Sequence, residues 1–302
     1  GIKYMKWEDN RRSSNVEDRR DESPSNFGSK QNNSMMMLLP VIKMLIGTKI
    51  GRIILVVGAI AYFMGFNPLA LLDMGTTTQN NTSSSQVINT QKDDKSAQFV
   101  SAVLAQTEDI WTDVFKKYNA NYVEPKLVLF RNSVKSGCGF ASSQTGPFYC
   151  PADQKVYLDL SFFDELAKRH DAPGDFAQAY VIAHEIGHHV QNITGTISKV
   201  ENAKQGLSDA KENALQVKVE LQADCYAGLW AYYSKKDFNS IEKGDIQEAL
   251  NAASAIGDDT LQKKAQGYVV PDSFTHGSSS QRMAWFKKGF EGGTLESCNT
   301  FN

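Results

Sequence analysis

His184-Glu185-Ile186-Gly187-His188-His189 spells H-E-x-x-H followed by a third histidine, and the reading of the whole chain turns on these six residues. On a helix His184 and His188 stand one turn apart and project from one face. Two imidazoles at that spacing can bind one zinc ion, and Glu185 stands where its carboxylate can reach a water on that ion. Zinc brings the pKa of such a water from about 16 to about 7. Three of the five histidines of the chain fall in this window, so a chance match on a polar helix is the weaker reading. His189 points about 100° away from its neighbour and reads as a packing or supporting residue rather than a ligand.

The flanks agree. Pro173-Gly174-Asp175 is a turn and start signal for a helix from Phe176 to about Gln191. Phe176, Ala179, Tyr180, Ile182, Ala183, Ile186 and Val190 make that helix apolar on several sides, so it is expected to be buried, its histidines facing a polar cavity. Gly187 costs about 1 kcal/mol relative to Ala in a helix interior, which implies close approach by another backbone. A hydrolytic zinc site needs a third protein ligand and one open position. Asp209–Tyr233 reads as a second helix, with Glu220 and Asp224 four apart on one face. Glu220 is the expected third ligand. Asp224 is expected to accept the free N–H of a zinc-bound histidine and hold its ring. A solvated carboxylate pair is the alternative. Ala223, Cys225, Tyr226, Ala227, Leu229 and Trp230 oppose it, because they mark a buried helix where carboxylates need partners.

Further out, the pattern predicts an α+β domain over 96–302, mostly helical with a small β-sheet. Ser96–Asn119 reads as a helix, with Phe99, Val103, Ile110, Val114 and Phe115 near one face. Leu127–Phe130 and Lys155–Leu160 read as strands, and Gly137–Pro151 as loop. Ser161 can cap a helix over Phe162–Arg169. Residues 192–208 read as a connection near the cleft, and they or a partner could hold the site inactive.

The four cysteines, Cys138, Cys150, Cys225 and Cys298, all lie in this domain. An even number in an exported domain favours disulfides. Cys138 with Cys150 and Cys225 with Cys298 is the favoured of three connectivities. A second, structural zinc site competes weakly, since no C-x-x-C pair exists.

Ahead of the domain the chain changes character. Ile53–Phe66 carries no charge, and the apolar run continues to Leu72, about twenty residues, enough to span a bilayer. We expect a transmembrane helix over 50–72. Residues 73–95 are rich in Thr, Ser, Asn and Gln and read as a flexible linker. Residues 1–49 read as a largely disordered tail, Arg11–Ser29 above all. Cations crowd the N-terminal side of the span, so the positive-inside rule keeps the tail in the cytoplasm and sends the domain across the membrane. Acidic residues interleave with the basic ones, and the net charge of −2 shows no basic excess, which argues against nucleic acid.

HEIGHHVQ (184–191), ELQADCYAGLW (220–230), the stretch 136–166, THGSSSQRMAWFKKGF (275–290) and the tail motif KWEDNRRSSNVEDRR (6–20) together resemble the bacterial neutral zinc metallopeptidase family. HEIGHH with ELQAD also looks like the catalytic half of membrane-anchored zincins whose third ligand is Glu. The resemblance implies a zincin-like domain, one Zn2+ ion and a polypeptide substrate. It implies that His276 donates to the oxyanion of the tetrahedral intermediate and that Arg282 orients the site or nearby backbone. Gly277 stands where better-studied relatives have Pro. In zincins the strand ahead of the H-E-x-x-H helix commonly edges the cleft, so Lys155–Leu160 is expected to pair with an extended peptide.

The expected function is a membrane-anchored zinc endopeptidase with Glu185 as general base. A zinc-bound but proteolytically silent module that binds partner proteins or cell-envelope components competes with it, as does a hydrolase of something other than polypeptide. The intact Glu185 argues against the silent module. A membrane-protein partner or an oligomer is compatible with the pattern.

Overall fold

Four strands make the main sheet of the structure, a computed structural model that describes residues 5–22, 90–169 and 174–301. They are β1 (Val16–Asp18), β2 (Lys126–Phe130), β5 (Phe148–Cys150) and β6 (Lys155–Asp159), in the order β1-β2-β6-β5. β1, β2 and β6 run parallel, and β5 is antiparallel to β6. A hairpin of β3 (Ser133–Ser136) and β4 (Gly139–Ser142) stands apart. Among the described residues there are eight α-helices: α1 (Thr90–Lys117), α2 (Ser161–Arg169), α3 (Asp175–Ile193), α4 (Thr196–Lys204), α5 (Asp209–Lys236), α6 (Asp245–Ala255), α7 (Asp258–Gln266) and α8 (Ser279–Gly292). The α+β expectation holds.

The long helices follow the apolar patterning. α1 turns Phe99, Val103, Ile110 and Val114 into the core, and its Trp111 meets Tyr226 of α5 edge-on with centroids 5.4 Å apart. α3 is buried over most of its length, and Phe176 stacks on Trp230 of α5. Gly187 is a point of close approach: a Cβ there would lie 3.1 Å from Ala223 Cα of α5. The helices that carry the two motifs therefore cross backbone to backbone. α5 and α8 come closer still. A Cβ on Gly228 would fall 1.9 Å from Phe286 O, and one on Gly289 1.9 Å from Cys225 O. Those two glycines let α8 bring Arg282 against Asp224.

Both favoured disulfides form, Cys138–Cys150 and Cys225–Cys298. The first ties the β3–β4 turn to β5. The second closes a 73-residue span onto α5, and linking so long a loop contributes about 4 kcal/mol by restricting the unfolded chain.

Several expectations are corrected. Residues 5–22 are not a disordered tail. β1 hydrogen-bonds β2 with Val16 opposite Leu127, and Met5 and Trp7 are buried. Ser13 Oγ bonds the Glu108 carboxylate, Arg11 pairs with Glu108 at 2.7 Å, and Lys155 with Glu17 at 3.0 Å. A segment held by ion pairs and a three-residue ladder carries no hydrophobic period to read. Since β1 and β2 share a sheet, residues 5–22 lie on the same side of any membrane as 90–301. A cytoplasmic tail separated by one crossing from the 96–302 domain does not fit these residues. The span expected over 50–72 lies outside the described residues, and no helix among the described residues is long and apolar enough to cross a membrane.

The linker expectation over 73–95 fails at its end, because α1 begins at Thr90 and is anchored there by Asp93 to Arg131. Gly137–Pro151 is not only loop: it holds β4 and β5. Lys155–Leu160 is not the cleft edge, because β6 is paired on both sides and β5 is the edge strand. Residues 192–208 include α4, of which only Val200 is buried. So little apolar surface gives no amphipathic signal.

Candidate metal centre

α3 and α5 cross at Gly187, which sets His184 and His188 against Glu220. Glu220 Oε2 lies 3.3 Å from His184 Nε2 and 3.4 Å from His188 Nε2. Donor atoms around a tetrahedral zinc with bonds of about 2.0–2.1 Å stand about 3.3–3.4 Å apart. Glu220 Oε2 thus stands from each imidazole nitrogen at the separation zinc takes, the three donor atoms lie within 4.8 Å of one another, and the residues present fit that ion.

The far side of each donor is held as a ligand requires. His184 Nδ1 lies 2.8 Å from Asp224 Oδ1, and His188 Nδ1 lies 2.9 Å from Gln191 Oε1. Both oxygens accept, so each Nδ1 carries the proton and each Nε2 keeps its lone pair for the metal side. Gln216 Nε2 donates to Glu220 Oε1 at 2.9 Å, leaving Oε2 for the centre. Asp224 is fully buried. Besides His184 it accepts from Tyr180 Oη at 2.6 Å, Arg282 Nε at 2.9 Å and Arg282 Nη2 at 3.0 Å. Arg282 Nη1 also bonds Ile256 O at 3.2 Å.

Electrostatics follow from this packing. Burial alone would lift the Asp224 carboxyl, but Arg282 and His184 outweigh it and hold it down at about 2. Burial would lower His184, yet the Asp224 and Glu220 carboxylates lift it to about 10. His188 is raised by Glu220 against its own burial. Glu220 sits well below the usual carboxylate range: burial opposes this, and the two imidazoles prevail. The cluster favours a positive charge at its centre, and a proton and a metal ion compete for that place.

Glu185 is buried against the same cleft and is not one of the converging donors. Burial raises its carboxyl, with His188 and His184 opposing. A cleft of roughly 500 Å³ covers the centre, lined by Tyr149, Tyr180, Glu185, Glu220, His276 and Arg282 among others. A second cavity of roughly 330 Å³ adjoins it across Tyr149, His188 and Glu220, with Ile197, Val200 and Val219 on its wall.

His189 is no ligand. Its Nε2 lies 2.6 Å from the Val123 carbonyl oxygen, so that nitrogen is the donor, and its Nδ1 accepts from Tyr149 Oη at 3.0 Å. It fastens α3 to β5. His276 stands half-exposed on the cleft wall and is not one of the three converging donors. Its loop hangs on Asp258, whose Oδ2 accepts the backbone N–H of Thr275, His276 and Gly277 at 2.8, 2.6 and 2.9 Å. Gly277 has φ +94°, which proline cannot adopt, so this loop is built differently from those with Pro at the position.

Burial would raise the Asp258 carboxyl, but His276 and these N–H groups hold it below its usual range. Its stabilising contribution is therefore present above the unfolded value of 3.8 and lost as pH falls through the lower folded one. Asp258→Asn should cost about 1–3 kcal/mol at pH 7. Urea melts should show the gap to the parent closing as pH drops below about 4. A gap that stays constant with pH would refute the role given to Asp258.

Sequence reasoning did not single out Tyr180, Gln191, Gln216, Tyr149 or Asp258. For the first three a signal existed: each lies three or four residues from a candidate ligand on the same helix, on the same face.

A family model described as "Putative neutral zinc metallopeptidase" matches residues 5–301. The chain is 46% identical over 297 residues to the uncharacterized protein YpfJ of Escherichia coli K12, covering 98% of this chain and 99% of that protein. It is 41% identical over 214 residues to the uncharacterized protein Rv2575 of Mycobacterium tuberculosis H37Rv, covering 68% of this chain and 71% of that one. No solved structure matches.

Proposed function

The chain belongs to the neutral zinc metallopeptidase family, and from that premise we propose that it is an endopeptidase in which His184, His188 and Glu220 hold one Zn2+ and Glu185 is the general base. The observation that carries the reading is the 3.3 and 3.4 Å convergence of Glu220 Oε2 on the two Nε2 atoms. Zinc at this place supplies a Lewis acid and an acidified water. The other steps belong to the protein. Glu185, its carboxyl raised by burial, takes a proton from the attacking water and passes it to the leaving nitrogen. Asp224 holds the His184 ring, and Arg282 keeps Asp224 ionised. His276, which lines the same cleft, is our candidate donor to the developing oxyanion.

Cavities adjoin on either side of His188 and Glu220, which suits a chain passing through and favours internal cleavage over trimming of an end. The edge strand β5 lines the larger cleft through Phe148 and Tyr149, and an extended peptide laid along it would add a strand. Two disulfides favour an oxidising compartment. Placement outside the cytoplasm, at the bacterial inner membrane, is our reading of where the domain works, with the residue 5–22 arm on that same side.

The test is metal content followed by digestion of a peptide library by the full chain. One zinc per chain and internal cleavages that cease with a chelator and return with zinc are expected. A zinc-loaded chain that cuts nothing in a broad library would leave the silent partner-binding module as the better account.

A further inference from the structure

A second group of carboxylates lies away from the zinc donors, where the N-terminal arm meets the first turns of α3 and α6. Asp175, Asp245 and Glu248 each bring one oxygen within 4.8 Å of the others. Asp175 opens α3 and Asp245 opens α6. Among the described residues no Lys, Arg or His pairs with any of the three. What they do accept are single backbone N–H groups: Met5 N to Asp175 Oδ1 at 3.3 Å, Phe176 N to Glu248 Oε2 at 3.2 Å, and Glu242 N to Asp245 Oδ2 at 2.8 Å.

A separate observation concerns Asp245. Its side chain is fully buried, and its Oδ1 has no hydrogen-bond partner at all. A buried carboxylate oxygen without a partner is costly and rare, and calls for a ligand. The Glu248 carboxylate packs directly on the backbone ahead of α3: a Cβ on Gly174 would lie 1.8 Å from Glu248 Oε2. Asp175 and Glu248 remain half-buried, which leaves a way in from solvent.

We propose that Asp175, Asp245 and Glu248 form a structural site for a divalent calcium ion that fastens the N-terminal arm to α3 and α6. The donor set is all oxygen, the preference of a hard cation rather than of zinc. Oxygens in one calcium shell of about 2.4 Å radius stand no more than about 4.8 Å apart, and the three carboxylates meet that bound. Backbone carbonyls and water complete such a shell of six to eight oxygens. The charge argument agrees. Burial pushes Asp175 up to about 7, the neighbouring carboxylates add to the rise, and Asp245 and Glu248 are raised as well. The ion would cancel this repulsion and stiffen the start of the helix that carries His184 and His188. The site is independent of the peptidase reading, and its test does not use activity.

The experiment is a calcium titration of the zinc-loaded full chain, followed by calorimetry and by melting temperature, with Glu248→Gln and Asp245→Asn alongside. The parent chain should bind one calcium ion and melt higher in its presence, with zinc content unchanged. Glu248→Gln, which alters a half-exposed member and should fold, is expected to weaken calcium binding at least tenfold. A parent chain whose melting temperature is indifferent to millimolar calcium overturns the proposal. So does an equal response in parent and Glu248→Gln, or a calcium-free Asp245→Asn chain as stable as the calcium-loaded parent; in that last case a shared proton is the better account of the cluster.

Discussion

Glu185→Gln should reduce peptide turnover by about 10²–10⁴-fold, or about 3–5 kcal/mol of transition-state stabilisation, while one zinc ion per chain is retained. The substitution keeps shape and removes only the ability to take a proton. Glu185 is outside the converging donor set, so the metal should not be disturbed. Glutamine introduces no charge into this buried position, so the melting temperature should hold. The measurements are zinc by elemental analysis, cleavage of the best library peptide, and thermal unfolding. Zinc retained with cleavage undiminished removes Glu185 from the chemistry. Zinc lost from the variant would instead show that Glu185, and not only Glu220, holds the ion.

Asp224→Asn should destabilise the fold strongly. Asp224 gathers four donors: His184 Nδ1, Tyr180 Oη and two nitrogens of Arg282. All lie in a fully buried setting. The amide has no charge to offset Arg282, and its NH2 presents donors to donors. Removing one partner of a buried ion pair leaves the other charge uncompensated, a loss of about 3–5 kcal/mol. The ring of His184 also loses the acceptor that fixes its Nδ1 proton, so zinc affinity should fall about 10–100-fold. Urea unfolding of the metal-free chain reads the first effect, and competition with a chromophoric chelator the second. A loss below about 1 kcal/mol would mean that Arg282 finds another partner, and that Asp224 is not the buried hub described.

These residues show how far local pattern reaches. His184 with His188 and Glu220 with Asp224 are spaced by a helical turn, and that period alone puts each pair on one face. Burial of both helices was legible from their apolar flanks, the approach at Gly187 from the cost of glycine in a helix, and the presence of disulfides from the even cysteine count in a domain read as exported; their connectivity was one favoured choice of three. Arg282 and His276 were reached only through resemblance. The structure seats Arg282 on Asp224, 58 residues away in sequence, and leaves His276 on the cleft wall. Gln191, Tyr180 and Gln216 carried a turn-spaced signal that is informative only once the ligands are known.

By itself, then, the sequence determined which side chains share a helix face, because backbone geometry within one helix is set by neighbours three and four residues apart, and the residue types on that face pointed to a metal. The tertiary structure alone decided that α3 and α5 cross closely enough for two imidazoles and a carboxylate to meet. It decided that β5 rather than β6 edges the cleft, and that residues 5–22 are a strand of the sheet and not a tail. Those outcomes depend on which backbones touch at Gly187, Gly228 and Gly289, and on ion pairs such as Arg11–Glu108 and Lys155–Glu17. Such contacts span tens to more than a hundred residues and leave no period in the chain.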